Sequence, residues 1–346
     1  MDFRFSADQI ALRDAVRKLL LIEAAPEVLR EIWETPDGRS QALRRRFAEQ
    51  GLTALSVSQE YGGLGLGEVD WSLIHHELGY FAIPDSLGDS AHLGAGLLAD
   101  LPDDAPLRRE WLPRIAEGSA RIAIGHALNP FVADAHLADL LLLAHADEVH
   151  ALSRDAVALT PQPSLDRSRR LYSLAWSPSA TTRVAEAAQG ERIWARTAAR
   201  GALAAAGQLV GLAQRTLDLG VDYAAQRKQF GKAIGSFQAV KHHLADVAVK
   251  IEFARPVLHH AAWTLQHDDR NAVAAVSHAK LAAGEAALLA ARKSLQVHGA
   301  IGYTWEADLQ MYMKRAWALE ATWGSRAWHK QRVAARAFAD ADAGLI

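Results

Sequence analysis

The 346-residue sequence contains no cysteine, and this absence removes three kinds of chemistry. A disulfide framework, a thiolate metal site and a cysteine nucleophile are all excluded. Net charge is nearly absent as well, with a formal value of −2 at pH 7. The charge balance therefore gives no electrostatic reason to expect nucleic acid or an anionic membrane as the main partner.

Long apolar runs are also scarce. The N-terminus is amphipathic, and no stretch of the sequence reaches the ~18 consecutive apolar residues that a membrane-spanning helix needs. Half of the residues are hydrophobic and 23% are charged, as in ordinary globular proteins. We therefore expect a cytoplasmic protein with a substantial core and no membrane partner.

Two local patterns invite a chemical interpretation that their spacing does not support. The run YGGLGLG at 61–67 lacks the Lys-Ser/Thr of a phosphate loop, so a glycine-rich turn between helices is predicted. Histidines are adjacent at 75–76, 242–243 and 259–260. Adjacent residues on a helix point ~100° apart, whereas helical metal ligands favour positions i and i+4, so no metal is expected.

Hydrophobic periodicity divides the chain into three predicted domains. Residues 1–120 have a helical pattern, and Ser6 is the expected N-cap of the first helix. Residues 121–192 contain short apolar runs (RIAIGHAL, ADLLLLA, EVHALS, RRLYSLAW) separated by loop-like segments such as TPQPSLDRS, which predicts a small β domain. Residues 193–346 are Ala-rich with helical spacing, which predicts a helical bundle.

The segment RKQFGKAIGSFQ at 227–238 is the first of two candidate binding motifs. A fixed cation, an amide and an aromatic ring follow one another at the junction of two helical patterns, where Gly231 and Gly235 let the backbone turn sharply. Arg227 suits a diphosphate because its guanidinium can donate two hydrogen bonds to phosphate oxygens.

The second motif is QVHGAIGY at 296–303, directly after an Ala-rich helical pattern. Gly299 and Gly302 allow a ligand to approach the backbone closely. The two motifs together suggest an anionic, partly aromatic ligand held between long helices. The alternative is that both are ordinary turns between helices.

The sequence resembles the acyl-CoA dehydrogenase family. The resemblance rests on RKQFGKAIGSFQAVKHHLADVA and QVHGAIGYTWEADLQMYMKRA, and more loosely on ADQIALRDAVRKLL and LTALSVSQEYGGLGLGEVDWSLIHHELG. It implies a mainly α fold with an N-terminal helical domain, a small central β domain and a C-terminal four-helix bundle, assembled as a tetramer. It also implies FAD as cofactor, α,β-dehydrogenation of an acyl-CoA thioester, and an electron-transfer flavoprotein as electron acceptor.

The resemblance assigns FAD contacts residue by residue, in a site shared across a subunit interface. The implied contacts to the pyrophosphate and adenosine come from Arg227, Gln229, Phe230, Gln296, Gly299 and Ala300. The other half of the implied site departs from the family. The family's Thr-Glu-Pro-type segment for the isoalloxazine is replaced by GHALNPFV at 125–132, in a β region of about 70 residues, which is short for this family.

The catalytic carboxylate is the second departure. In this family a Glu removes the α-proton, and its two known positions fall here on Trp323 and Gly201, neither of which can act as a base. Glu320, one helical turn before Trp323, is a candidate substitute, although a lone acid is usually a surface or ion-paired residue.

These departures resemble the short subunit of heterotetrameric (α2β2) bacterial acyl-CoA dehydrogenases of lipid or steroid catabolism, in which the partner subunit supplies the base. The hypothesis is that this chain holds the ADP part of FAD for such a partner. Two alternatives stay open: a self-sufficient homotetramer with a relocated base, and a non-enzymatic scaffold with the same fold.

Overall fold

A computed structural model describes residues 4–342, with long helices at both ends of the chain and strands in its middle. The helices are α1 (Ala7–Glu23), α2 (Pro26–Glu34), α3 (Gln41–Glu49), α4 (Glu68–Tyr80), α5 (Ala95–Ala99), α6 (Pro106–Ala116), α7 (Ala187–Gln226), α8 (Gln238–Gln266), α9 (Ala272–His298), α10 (Leu309–Glu320) and α11 (Arg326–Asp342). The strands are β1 (Ile122–Gly125), β2 (Val132–Ala133), β3 (Leu140–His145), β4 (Glu148–Ser153), β5 (Ala158–Gln162), β6 (Leu171–Ala175), β7 (Arg183–Ala185), β8 (Lys228–Gln229) and β9 (Lys232–Ala233).

The first helix begins where the sequence predicts. The Ser6 hydroxyl accepts a hydrogen bond from the Gln9 backbone N–H at 3.2 Å, and the Gln9 side-chain oxygen accepts one from the Ser6 N–H at 3.0 Å. This reciprocal capping box satisfies two backbone donors that the first helical turn leaves without partners.

Proximity of Cα atoms divides the chain into two units. The helical unit comprises the chain up to Pro26, Ser72–Ile83 and everything from Ala202 onward, and the mixed unit comprises Glu27–Trp71 and Pro84–Gly201. The three domain boundaries drawn from the sequence stay a prediction.

The core of the helical unit is built from small side chains on α9. The buried face of this helix is made mostly of alanine, and α8 and α9 lie side by side with Val247, Ile251 and Leu258 of α8 also buried. Small side chains let helix backbones approach closely.

By length and composition alone, Ala272–Tyr303 is apolar enough to cross a membrane, which the sequence had not suggested. This is weak evidence, because a largely buried core helix passes the same test and 56% of the apolar window is buried here.

The mixed unit contains two sheets. One has the order β1-β3-β4-β7, with β1 and β3 parallel and the other pairs antiparallel, and the other is an antiparallel sheet of order β2-β6-β5. A single hydrophobic cluster draws buried residues such as Leu141, Leu143 and Val132 from both sheets. The four strands predicted from the quoted apolar runs are confirmed as β1, β3, β4 and β6.

One loop prediction in this unit is wrong. The start of TPQPSLDRS is not a loop, because residues 160–162 lie in β5, where Pro161 pairs with Tyr172 of β6. Proline cannot donate to a strand ladder, and it is tolerated here because β5 is an edge strand. The predicted glycine-rich turn at 61–67 is confirmed: it precedes α4 and is held by backbone bonds such as Gly65 N–H to Val57 O at 2.8 Å.

A buried ionic network lies within the mixed unit. The Glu68 carboxylate contacts His92 Nε2 at 2.6 Å and accepts a hydrogen bond from Arg200 Nε at 3.1 Å, and Arg200 also donates to Asp100 at 2.6 Å. His92 lies in a π-helical segment, Gly88–Gly94, and its ring stacks on Trp71. Burial alone would raise the pKa of Glu68, but His92 and Arg200 overcome burial and lower this pKa to about 2.

Replacing Glu68 with Gln should destabilise the protein in a pH-dependent way. Because the folded-state pKa of about 2 lies below the ordinary 4.5, the stabilisation is fully present above pH 4.5 and is lost as the pH falls through 2. The 2.5-unit difference corresponds to about 3 kcal/mol at neutral pH. Urea unfolding of wild type and Glu68→Gln at several pH values measures this difference.

The matched control is Glu49→Gln. Glu49 forms an ion pair with Arg46 in which both side chains are more than half exposed, so its loss should change stability by less than about 0.5 kcal/mol. A Glu68→Gln deficit of equal size at about pH 3 and pH 7 would contradict the prediction.

Candidate functional site: two motifs at one end of the helical unit

The first motif folds as a short β-hairpin after α7. Strands β8 and β9 pair Lys228 with Ala233 and Gln229 with Lys232, and the two-residue turn between them is Phe230-Gly231. Both turn residues have positive φ, 52° and 79°, as a type I′ hairpin requires. Phe230 is 90% exposed, so the turn presents an aromatic ring to the surroundings of the helical unit.

Two backbone hydrogen bonds of Arg227 hold the base of the hairpin. The Arg227 N–H donates to Tyr223 O at 2.9 Å, and the Arg227 carbonyl accepts from Ile234 N at 2.8 Å. The backbone of Arg227 is thus fixed while its side chain is exposed. Lys232 lies beside it on the hairpin, with its ammonium 4.4 Å from the centre of the Phe237 ring.

The second motif ends α9. Gly299 is the C-cap residue with φ 64° and ψ −141°, a conformation that only glycine adopts without strain. No atom lies within 4 Å of the place where a Cβ of Gly299 would sit. Gln296, Gly299 and Ala300 are all exposed, so the backbone here is open to a ligand.

The helical unit brings the two motifs to the same end. The Tyr223 ring, one turn before Arg227, stacks on the His298 ring with centroids 4.4 Å apart. Further along, Ser294 Oγ donates to Thr216 O at 2.8 Å, and a Cβ on Gly220 would meet that hydroxyl at 2.9 Å. The ends of α7 and α9 therefore touch, and the six candidate residues, which follow these helix ends or lie in them, are all exposed.

A second region of interest is the turn between α10 and α11. Trp323 is buried and has φ 55°, and its carbonyl accepts a hydrogen bond from His329 Nε2 at 3.0 Å. The other ring nitrogen, Nδ1, therefore accepts from the Ser277 hydroxyl at 3.1 Å. Burial, reinforced by the positive charge of Lys280, lowers the pKa of His329 to about 4, so this ring is neutral at pH 7.

The buried Lys280 of α9 donates hydrogen bonds to the end of α10. Lys280 Nζ donates to the carbonyls of Leu319 at 3.1 Å, Glu320 at 2.8 Å and Thr322 at 2.9 Å. All three ammonium donors are thus used on backbone carbonyls of the last turn of α10 and of the residues after it. Burial lowers the pKa of Lys280 to about 8, although the Glu320 charge opposes this shift.

Comparison with known proteins identifies the family. The chain matches the model of the acyl-CoA dehydrogenase N-terminal domain over residues 6–119 and that of the C-terminal domain over residues 188–338. Acyl-CoA dehydrogenase IpdE2 of Mycolicibacterium smegmatis is 35% identical over 90% of this chain and 93% of its own length. This chain belongs to the acyl-CoA dehydrogenase family.

Two further relatives agree. Acyl-CoA dehydrogenase IpdE2 of Mycobacterium tuberculosis is 34% identical over 88% of this chain and 89% of its own length. The crystal structure of the ChsE4-ChsE5 complex from Mycobacterium tuberculosis shares the fold, with a TM-score of 0.86, 23% identity, and coverage of 96% of this chain and 98% of that chain. The predicted family and its mainly α fold with a small β domain are confirmed, and members of this family are FAD flavoproteins that act on acyl-CoA.

The exposed surface at the motifs fits the ADP half of FAD by its chemistry. Arg227, Lys228 and Lys232 supply cations for a diphosphate, Phe230 supplies a face for a base, and Gly299 leaves open space beside the backbone. These are the donors and contacts that a dinucleotide requires.

The segment at 125–132 does not offer comparable groups. A Cβ on Gly125 would meet Leu143 Cδ2 at 2.6 Å, so the end of β1 is filled by the chain's own side chain. His126 turns back on its own segment, where its Nδ1 accepts from Leu128 N at 3.2 Å and its carbonyl accepts from Asn129 N at 2.8 Å. Its ring lies 5.2 Å from that of Trp194.

The two positions that the family resemblance assigns to the base carry no carboxylate. Trp323 lies in the turn fixed by His329, and Gly201 is a buried residue of α7. Glu320 is the last residue of α10 and half-buried, with its Cγ 3.4 Å from the place where a Cβ of Gly284 would sit. Its side chain thus lies against α9.

Sequence reasoning missed Lys280, Tyr223, His298 and His329. For Lys280 a signal was present: Val276, Lys280, Ala283 and Ala287 recur at helical spacing on one face of an Ala-rich helix, which places the lysine among buried positions. The stacking of Tyr223 on His298 joins distant parts of the chain, and no local pattern predicts it.

Among residues 4–342, no three His, Asp or Glu side chains lie close enough together to hold a metal ion.

The variant Lys280→Met should change how stability depends on pH. The pKa of Lys280 is about 8 in the folded protein and 10.5 in the unfolded chain. Between about pH 8 and pH 10.5 the unfolded chain therefore keeps a proton on this side chain that the folded protein has lost. Wild-type stability should therefore gain from this group as the pH rises from about 8 to 10.5, and the Met variant should lack the gain. Lys250→Met, which removes a half-exposed ammonium, is the control; an identical pH profile for wild type and Lys280→Met would contradict the prediction.

Proposed function

We propose that this chain is one subunit of a heteromeric acyl-CoA dehydrogenase, holding the ADP end of FAD while a partner subunit supplies the carboxylate that removes the α-proton. The observation that carries this proposal is the chemistry at the two family base positions. Trp323 has no basic group and lies buried in a turn fixed by His329 and Lys280, and Gly201 has no side chain. Proton abstraction requires a base within hydrogen-bonding reach of the substrate, so it must come from elsewhere.

The role of the chain's own residues follows from their positions. Arg227 would bind the pyrophosphate through its fixed hairpin, with Gln229 and Gln296 donating hydrogen bonds from their amides and Phe230 stacking on adenine. Gly299 and Ala300 would let the dinucleotide lie against the backbone. When bound, FAD would supply the acceptor for the hydride that leaves the β-carbon of the acyl thioester.

The exposure of this surface supports a site completed by another chain. Phe230 is 90% exposed, and Tyr303, the last residue of the second motif, is 78% exposed. Exposed aromatic side chains beside a cationic hairpin are typical of a surface that is covered on assembly. We further propose a cytoplasmic enzyme of lipid or steroid catabolism that passes electrons to an electron-transfer flavoprotein.

Co-expression tests the assembly. The chain alone should bind flavin weakly and lack dehydrogenase activity. Together with an acyl-CoA dehydrogenase-like partner that retains the Glu, it should purify as a yellow, active α2β2 complex. Flavin absorbance, subunit stoichiometry and activity are measured on both preparations. A fully flavinated, active homotetramer of this chain alone would overturn the proposal, and absence of flavin from every assembly would favour a non-enzymatic scaffold.

Arg227→Ala should release flavin from the complex without unfolding it, because the side chain is exposed and only its backbone holds the hairpin. Losing a bidentate charge-assisted contact should weaken FAD binding by at least about tenfold. Flavin content after gel filtration and the circular dichroism spectrum are the measurements. The control is Arg109→Ala, an exposed arginine of α6 in the mixed unit; flavin retained by Arg227→Ala at the control level would contradict the assignment.

The variant Glu320→Gln distinguishes two hypotheses: that the partner subunit supplies the base, and that Glu320 is a relocated base in a homotetramer. If the partner supplies the base, the variant complex should keep kcat within about twofold of wild type, whereas loss of a general base costs at least about 10²-fold. Steady-state kinetics of the two purified complexes decide between them. A fall of several hundredfold in kcat with flavin content unchanged would assign the base to Glu320.

A further inference from the structure

A cavity lies within the helical unit, and none of the residues of the two FAD motifs lines it. Its volume is about 470 Å³, within the range of small-molecule sites. Residues of α1, α4, α7 and α8 line the cavity, and they include both arginines and apolar side chains.

The cationic wall consists of Arg13, Arg17 and Arg255. Arg17 donates to the buried Glu77 carboxylate at 3.1 Å and lies over the Tyr80 ring at 4.6 Å. These contacts hold its guanidinium in one place, as a preformed site requires.

Arg255 is held by a chain of polar contacts. Its Nη2 donates to Gln214 Oε1 at 2.7 Å, and the Gln214 amide donates to Asp218 Oδ1 at 2.7 Å. Arg255 Nη1 donates to Glu252 Oε1 at 2.6 Å, but the Glu252 side chain is 66% exposed and does not line the cavity. A pair of this kind is weak, so the Arg255 charge is poorly compensated on the cavity side.

The charge around the cavity is positive. Three guanidinium groups and two carboxylates line it. Asp14 pairs with Arg13 at 2.7 Å and Glu77 pairs with Arg17 at 3.1 Å, so Arg255 is the arginine without a carboxylate partner among the lining residues. Burial, followed by the charges of His76 and Arg255, lowers the pKa of His259 to about 4, so this ring adds no charge at pH 7. An excess of one positive charge favours a ligand with a single negative charge.

The cavity also has an apolar lining, which consists of Leu73, Val210, Leu258 and Phe5. The Phe5 ring stands edge-on to the His259 ring, with the two ring centroids 4.8 Å apart. A ligand that consists only of a charged group would leave these apolar side chains in contact with water. The site therefore favours an anion with a compact hydrophobic body.

We propose that this cavity binds a monocarboxylate with a compact apolar body, whose carboxylate is held by Arg255 and whose body packs on Phe5 and Leu258. The site is separate from the FAD motifs and does not depend on the function proposed above. Carboxylate recognition follows from the forked donors of arginine, which bind carboxylate oxygens in pairs.

Isothermal titration of the purified full chain with benzoate tests this site. Benzoate should bind saturably, benzylamine should not because it carries the opposite charge on the same ring, and inorganic phosphate should bind more weakly because it lacks an apolar body. Arg255→Gln should weaken benzoate binding by at least about tenfold, as expected for loss of a charge-assisted contact.

Two further variants keep the test decisive. Arg13→Gln changes a partly exposed residue of α1 and removes the partner of the lining carboxylate Asp14, so it should weaken benzoate binding even if Arg255→Gln does not fold. Arg109→Gln, in the mixed unit, should bind benzoate like wild type. Absence of saturable benzoate binding, equal binding of benzylamine, or wild-type affinity in the folded Arg13 and Arg255 variants would overturn the proposal.

Discussion

Close contact between the ends of α7 and α9 is the constraint on which the candidate site depends. Gly220 leaves room for the Ser294 hydroxyl, which donates to Thr216 O, and the Tyr223 and His298 rings stack beyond that bond. Because these contacts are short and directional, the two helices end in a fixed relation. The hairpin and the Gly299 turn, which are distant in sequence, consequently present one surface to a ligand.

The turn after α10 is fixed by buried polar contacts. Trp323 is buried, and Lys280 and His329 donate hydrogen bonds to the carbonyls around it. Buried polar groups that are fully hydrogen-bonded rigidify a segment. The fixed turn therefore supports a division of labour in which this chain contributes binding and another contributes proton transfer.

The sequence predicted much of this architecture because many of its signals are local. Ser6 and Gln9 form the expected capping box, and the long helices follow their apolar spacing. The prediction failed where distant residues decide the structure. Pro161 argued for a loop, yet its position at the edge of a sheet, set by pairing with β6, makes a strand possible.

The candidate site was predictable to a similar degree. Gly231 and Gly299 marked the motifs because only glycine adopts their backbone conformations easily, and both have positive φ. Lys280 and the cavity beside Arg255 could not be found in the same way, since their surroundings come from several helices packing together. An Arg in an amphipathic helix has the same local pattern whether it faces solvent or a cavity.

The edge strand β5 also bears on how this chain behaves at high concentration. An exposed outer strand offers unpaired backbone groups to any strand of another molecule, and such pairing leads to aggregates. Pro161 interrupts that row of donors, and most of β5 is exposed to solvent. These two features protect copies of this chain against joining one another through this sheet.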